Sequence, residues 1–492
     1  MGLFKKIYPP NGKQLFDGGL DTKYEKSIIP DNESPDCLNV IFDAGSVGTR
    51  DGFKILNTTS VGSFVNDGVY SRQGNSNAET MVAFFNGAGY TLAGTTFTTI
   101  GSAQSVFTAG VRVGAAQQEQ HLFCGTGGVI PYKYNGTDFT RHGVYVKSNT
   151  ASYVTGGAGN PNGMYQYKIV FVNSQSVESD ASEAATTITV ASTKVEISSI
   201  PVGPQSWGVA TRRIYRTVTS GSTFLRLATL SDNTTTTYSD NIADASLGTA
   251  APSDHGVPPK YSTIIYHNGR LFMNDTDNPS YVWYTDLNEP YTVGAASFQI
   301  IGDTSTDQVT GFAVTDNSLI VFCGKNPWVI FMQDTTVSNW RVIKAKSNFT
   351  SKSPFGAFSY NNKVGFPAVQ NDVFVGIGSI EGITTTPDVT QLVSGAIGGE
   401  LTSSRVETDM FDMVSAYVGN FSSIVYKNKA YISMTKVSGS TTNNRVYVMD
   451  FNLGVLSDKQ NESWVPWSGL NASQFVIYAG NLYFGSSTAN GY

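Results

Sequence analysis

Charge is what this chain has least of. Asp, Glu, Lys and Arg make up 14% of its 492 residues, against roughly a quarter in average globular proteins. Ser, Thr, Asn and Gly must therefore supply much of the polar surface, and a weakly charged surface suits contacts covered in an assembly. The net charge of −6 argues against a protein that grips nucleic acid, because displacing counterions needs clustered Lys and Arg. A sparse N-terminal group (Lys5, Lys6, Lys13, Lys23, Lys26) is interleaved with Asp17, Asp21 and Glu25, so it reads as a solvated arm. Cysteine is equally scarce. Cys37, Cys124 and Cys323 lie far apart and form no CxxC or metal-ligand spacing with the four histidines, so they read as reduced core thiols with no metal or cofactor to hold. Met1 to Gly12 contains no apolar signal-peptide core, and no run of about 18 apolar residues follows, so neither signal-directed secretion nor a membrane span is expected. The sequons at Asn57, Asn233 and Asn420 follow from an Asn/Thr/Ser-rich composition and carry no weight.

Aromatic residues are not scarce: 25 Tyr and 28 Phe set the chain apart from disordered sequences. They recur in a pattern. An aromatic or aliphatic residue, a turn of Asn, Asp, Gly or Lys, and an apolar strand appear five times. The copies are Tyr266-His-Asn-Gly-Arg-Leu-Phe, Val314-Thr-Asp-Asn-Ser-Leu-Ile, Tyr360-Asn-Asn-Lys-Val-Gly-Phe, Tyr426-Lys-Asn-Lys-Ala-Tyr-Ile and Tyr478-Ala-Gly-Asn-Leu-Tyr-Phe. Asn-Gly and its relatives supply the positive φ angles of tight turns, so each copy predicts a hairpin. The markers Asn268, Asn317, Asn362, Asn428 and Asn481 are spaced 49, 45, 66 and 53 residues apart, one four-stranded blade each. The fold class expected is all-β: a six- to seven-bladed β-propeller.

Residues 1–57 read as a loop-rich arm ending in a hairpin, and 58–148 as two blades of about 40 residues. The rhythm then stops. Over 149–255, Tyr165, Tyr167, Ile169 and Phe171 alternate with polar positions, and short strands follow at regular spacing, predicting an inserted β-sandwich. The stretch Tyr165-Gln-Tyr-Lys-Ile-Val-Phe-Val-Asn followed by Glu178-Ser-Asp-Ala-Ser resembles a fibronectin type III or similar immunoglobulin-like module. Blades resume over 256–492, and the last segment, 471–492, supplies only one hairpin. Half a blade exposes unpaired edges, so strands around 37–57 are expected to pair with it and close the ring. A natural chain continuing beyond Tyr492 would fit as well.

Catalytic motifs are missing: there is no GxSxG, HExxH or P-loop, and Gly376-Ile-Gly-Ser-Ile-Glu-Gly has the wrong spacing for a dinucleotide fingerprint. Asp275, Asp277, Asp303 and Asp307 are candidate glycosidase carboxylates, but Asp in such loops ordinarily makes turns, and the Asp box of sialidase propellers is absent. Asn274-Asp-Thr-Asp-Asn offers oxygens to calcium but lacks the Gly and distant Glu of an EF-hand loop. His121, His142, His255 and His267 have no partner pattern, and Trp328, Trp340, Trp464 and Trp467 fit blade packing better than a sugar platform. No catalytic, cofactor or metal residue is assigned, and the chain is read as a non-enzyme.

With chemistry set aside, the arrangement is the clue. Phe16-Asp-Gly-Gly-Leu, Asp36-Cys-Leu-Asn-Val and Gly48-Thr-Arg-Asp-Gly-Phe resemble the starts of tail nozzle proteins of short-tailed bacteriophages, in which an extended lead-in ends in an Arg-x-Gly turn before the propeller. Tyr266-His-Asn-Gly-Arg-Leu-Phe, Tyr281-Val-Trp-Tyr-Thr-Asp-Leu-Asn-Glu-Pro and the strand from Val309 to Phe322 are similar to their recurring blade pattern. The likeness covers residues 10–145 and 255–492. It implies a structural virion component, assembled in the host cytoplasm, that forms a homohexameric ring beneath the portal and its adaptor. Such a ring retains packaged double-stranded DNA, conducts it at ejection without sequence-specific binding, and meets fibres, spikes or a plug. Two other readings stand beside it: a receptor- or glycan-binding tail module, and a propeller glycoside hydrolase.

Overall fold

The computed structural model describes residues 19–491 apart from 24–25, 27–28, 30–32, 44–45, 102–105, 303–306, 348, 361, 382–398, 402, 404–405, 437–438 and 452–462. Lys5, Lys6, Lys13, Asp17, Glu25 and Asp303 lie outside the described residues. Lys23 and Lys26 are exposed, and Asp21 is buried, accepting from the Lys23 backbone N–H at 2.9 Å.

Seven antiparallel sheets follow the chain in order. Sheet I holds Asn66–Gln73, Glu79–Phe85, Ala88–Ala93 and Thr96–Thr99. Sheet II holds Gly114–Gln118, His121–Gly125, Tyr132–Tyr134 and Phe139–Arg141, and sheet III holds Ile264–His267, Arg270–Asn274, Tyr281–Tyr284 and Phe298–Ile300. Sheet IV holds Val309–Thr315, Ser318–Cys323, Trp328–Phe331 and Arg341–Lys344, and sheet V holds Phe358–Tyr360, Lys363–Gln370, Val373–Glu381 and Gly399–Leu401. Sheet VI holds Ser422–Tyr426, Lys429–Met434, Arg445–Asp450 and Ser463–Ser468, and sheet VII the hairpin Ala472–Tyr478 with Asn481–Ser486. The first strand of each sheet neighbours that of the next, and the first strand of sheet VII neighbours that of sheet I. The sheets thus close radially on themselves as a β-propeller.

A separate apolar core fills each gap between successive sheets. Val82, Phe84, Phe107 and Leu122 lie between I and II; Phe123, Tyr261, Leu271 and Met273 between II and III; Phe272, Val321, Ile330 and Trp340 between III and IV. Ile320, Phe322, Val364 and Phe366 follow between IV and V, then Phe358, Ile432, Tyr447 and Trp464 between V and VI. Val446, Val448 and Phe475 join VI to VII, and Val69, Met81, Phe85 and Val476 join VII to I. Burying one such side chain contributes roughly 1.5–3 kcal/mol.

The five repeated turns each join the first two strands of a sheet. Asn268-Gly269, Lys427-Asn428 and Ala479-Gly480 all have positive φ at both positions, the geometry whose twist matches the flanking strands. Asn481 is a strand residue just after its turn, and Asn317 makes its turn without positive φ.

The arm follows a different path from the pairing of residues 37–57 with the final hairpin that the sequence suggests. Val40–Asp43 pairs with Ser46–Thr49, and the arm docks on the outer edge of sheet VI. Gly19 pairs there in parallel with Trp464. A Cβ on Gly19 (φ 75°) would stand 2.7 Å from the Trp464 backbone nitrogen, which requires glycine. Asn39 donates its backbone N–H to Pro466 O at 3.0 Å, and Arg50 donates from Nη2 to Ser468 O at 3.0 Å and from Nε to Asn39 Oδ1 at 3.0 Å. The physical reason is the edge itself: Ser463–Ser468 is the outer strand of its sheet, and the arm satisfies its backbone at Pro466 and Ser468 while Trp467 Nε1 donates to Val40 O at 3.0 Å. The arm does touch the final hairpin through side chains, Phe53 packing edge-on against Phe484 at 5.5 Å and Asn57 Nδ2 donating to Gly491 O at 3.3 Å, and Gly491 also donates to Phe64 O and accepts from Val61 N.

Between sheets II and III the chain leaves the ring. Ser152–Ala158, Thr193–Ser198 and Tyr238–Asp240 form one sheet; Tyr167–Asn173, Val209–Thr217 and Phe224–Leu230 form another. Tyr165, Tyr167, Ile169 and Phe171 point into their shared core with Val195, Ile197 and Ile214. Arg216 is wholly buried and pairs with Asp240 at 2.6 Å and Asp244 at 2.8 Å, while Tyr167 donates to Asp240 at 2.8 Å.

Candidate functional site at the ring axis

The first strands of all seven sheets begin at one end of the axis, and one side chain spans that end. Arg112 precedes the first strand of sheet II, yet its Nη1 donates to Asn420 O, in the turn that leads into sheet VI, at 3.1 Å and its Nη2 to Ser473 O of sheet VII at 2.9 Å. Its guanidinium also lies over the Phe355 ring, which leads into sheet V, at 4.0 Å. A group from sheet II that touches V, VI and VII at once must lie across the centre of the ring. The planar, forked guanidinium suits this, offering two in-plane donors and a face for the aromatic ring. Burial pulls its pKa down to about 10.

Beside it Asp67 opens the first strand of sheet I, 4% exposed. Burial pushes its carboxyl up to about 6, against the backbone N–H groups of Gly87, Asn86 and Gly110 and the charge of Arg112, which favour ionisation. A cavity of about 350 Å³ opens at this mouth, lined among others by Phe64, Asp67, Asn86, Arg112, Asn443 and Ser473. Adjacent sheets are stitched here as well: Val113 N donates to Asp67 O at 2.9 Å, Ser353 Oγ to Phe421 O at 2.7 Å, and Ser473 Oγ to Asn66 Oδ1 at 3.2 Å. Neither Arg112 nor Asp67 stands out in the sequence, because a lone charge before an apolar strand has no local signature. Only the closure of the ring brings them together.

The residues weighed for chemistry do not converge. Asp275 accepts from the backbone of Asp277 and Asn278 and from Trp283 Nε1 at 3.1 Å, closing its own turn. Asp277 is exposed and pairs with Lys260 at 3.2 Å, and Asp307 accepts from Gly324 N at 2.9 Å. Asn274 Oδ1 accepts from the backbone of Ser262 and Thr263, tying the stretch to the strand before it, and Asp275 closes an Asx-type turn onto Asp277, so the oxygens that offered themselves to calcium are in use. Among the described residues no cluster of His, Cys, Asp and Glu could hold a metal ion. His142 is buried between sheets II and III, with Nδ1 2.9 Å from Tyr261 Oη and Nε2 2.7 Å from Pro290 O; burial pulls its pKa down to about 3. His255 bonds Glu178 O at 2.8 Å, and His121 and His267 are both buried with pKa values lowered to about 4. Trp464 and Trp340 are core residues, and Trp467 packs on Tyr431 beneath Arg50. Trp328 is half-buried. None of the three cysteines is in a disulfide: Cys124 and Cys323 are buried in the ring, and Cys37 is half-buried in the arm. No helix among the described residues is long and apolar enough to cross a membrane.

No protein-family model matches the chain, and no curated protein matches it. Among solved structures it is similar to the computationally designed Ika8 protein, with a TM-score of 0.36 and 8% identity over 89% of this chain and 98% of that one. It is similar also to Hsv2 of Kluyveromyces lactis (TM-score 0.29, 8% identity, 83% and 98% covered) and to PorZ of Porphyromonas gingivalis (0.25, 12%, 85% and 50%).

Proposed function

We propose that this chain is a structural subunit of a virion tail, of the nozzle kind that its sequence resembles. Finer than the propeller class, the reading takes the hairpin of sheet VII as a seventh blade and the inserted unit as an immunoglobulin- or fibronectin III-like sandwich. The observation that carries it is the role of the Arg50-Asp-Gly-Phe turn. In the resemblance this turn ends the lead-in; here Arg50 fastens the lead-in to the rim of the last four-stranded sheet before the ring begins at Asn66. Arg112 reaches across the axis, so the reading does not thread a duplex through a single ring and the conduit would run between copies, six in the family. Six copies carry 6 × (−6) = −36 charges from the formal value per chain, and a neutral or acidic lumen lets a polyanion slide where a basic one would hold it.

Electron microscopy of the purified chain, alone and mixed with portal-adaptor rings, tests the proposal. Six-fold rings with an open lumen are expected; a protein that stays monomeric in both samples would end it.

A further inference from the structure

A second cavity, of about 500 Å³, lies where sheet II meets the inserted unit, a common place for ligand sites and within their usual size. Sheet II contributes His121, Lys133, Asn135 and Thr140, and the inserted unit contributes Gln205 and Asn233 among others. Phe123 pairs directly with Lys133 across the strands, so His121, two residues before Phe123, lies on the same face as Lys133.

Lys133 is 3% exposed and donates from Nζ to Arg141 O at 3.1 Å. An ammonium has three donors, so two remain. Among the described residues it makes no ion pair, and no carboxylate lines the cavity. The nearby acids are engaged: Glu119 accepts from Tyr291 Oη at 2.9 Å, and Glu289 accepts from Tyr291 N and from Thr292 N and Oγ1. The Tyr291 ring, 5.6 Å from Nζ, compensates the buried charge only in part. His121 adds the opposite capacity. Its Nδ1 is 3.2 Å from Tyr291 Oη, whose own proton goes to Glu119, so Nδ1 carries the imidazole hydrogen and Nε2 is left as an acceptor.

We propose that this cleft binds an oxyanion that also bears an O–H, a hydrogen phosphate or an α-hydroxy-carboxylate group, with the anionic oxygen accepting from Lys133 Nζ and the O–H donating to His121 Nε2. The buried cation, whose charge Glu289 offsets only in part, gains a direct ionic partner, and the neutral imidazole selects the hydroxyl-bearing anion over one of the same size without it. Asn135, Thr140 and Gln205 line the same cleft with side-chain donors for the remaining oxygens, while the Asn233 amide is held by the Gly203 backbone.

Calorimetric titration of the full chain with inorganic phosphate, sulfate, glycolate and acetate, each at matched ionic strength, tests this. Saturable binding of phosphate or glycolate is expected, at least tenfold tighter than that of sulfate and acetate respectively. Lys133→Met and His121→Phe should each weaken it by roughly 10- to 100-fold, as loss of a hydrogen bond to a charged group does. If Lys133→Met does not fold by circular dichroism, His121→Phe decides. Equal affinity for phosphate and sulfate, affinity unchanged in the folded variant, or no saturable binding of any of the four would overturn the proposal.

Discussion

Acidification should weaken the seam between sheets II and III, and the size of the effect follows from one side chain. His142 is wholly buried and held neutral between the Tyr261 hydroxyl and the Pro290 carbonyl. Because Pro290 O only accepts, Nε2 carries the hydrogen and Nδ1 accepts from Tyr261. Its pKa is about 3 in the fold and 6.5 in the unfolded chain. A folded-state value below the unfolded one means stability is full above pH 6.5 and is lost as pH falls through that value toward 3. At pH 5 the unfolded imidazole lies about 1.5 units into its titration, so the fold loses about 2 kcal/mol. Unfolding entropy of roughly 2.1 cal/mol/K per residue gives about 1 kcal/mol/K for a chain of this length, so Tm should fall by about 2 °C from His142 alone. His121 and His267 shift in the same direction, while Asp67 opposes them, because a carboxyl raised to about 6 favours the fold as pH falls from 6 to 4. Scanning fluorimetry of wild type and His142→Gln at pH 7 and pH 5 isolates the single contribution. The variant should start lower but drop about 2 °C less than wild type; equal drops would refute the reasoning.

Arg112→Met keeps the stem but removes the guanidinium donor from Ser473 O and leaves Asn420 O with only the Asn443 amide, so Tm should fall by about 2 °C, for roughly 2 kcal/mol of charged hydrogen bonding. Arg112→Lys should recover only part of this, since an ammonium cannot fork to both carbonyls and lie on Phe355. Asp240→Ala leaves Arg216 buried with only the half-exposed Asp244, and should cost about 3–5 kcal/mol, seen in calorimetry as an early transition of the inserted unit. Arg50→Ala removes the hydrogen bond to Ser468 O and the brace on Asn39, while the Asn39 and Val40 bonds to sheet VI remain; limited proteolysis between residues 36 and 56 should run about tenfold faster, for roughly 1.4 kcal/mol of lost docking, with the ring melting unchanged.

Much of the ring is legible along the chain because its signals are local. Asn268-Gly269 announces a hairpin through the backbone freedom of two residues, and the alternation from Tyr165 to Phe171 announces a half-buried strand in the same way. What closes the ring is not local. Gly19 looks like an ordinary loop glycine until it is seen packed against Trp464, more than four hundred residues away. The arm's destination is not legible for that reason: nothing in residues 37–57 says which sheet edge its backbone will meet. The axial site was invisible on the same grounds, for Arg112 meets partners from three sheets with no spacing to betray them. The carboxylates at Asp275 and Asp307 could be noticed but not judged, since only coordinates separate an Asp that closes its own turn from one facing a partner.

Order of synthesis gives the short sheet VII a further meaning. Val69, Met81 and Phe85 leave the ribosome among the first apolar side chains of the ring, and the residue that covers them, Val476, is made hundreds of residues later. Throughout translation one face of the earliest sheet stays wet and adhesive, and neighbouring nascent chains on a polysome present the same face. The circle can be completed only as a late, concerted event, which makes the seam between the oldest and youngest strands the place where misassembly, rescue by chaperones and strand exchange between copies would all concentrate.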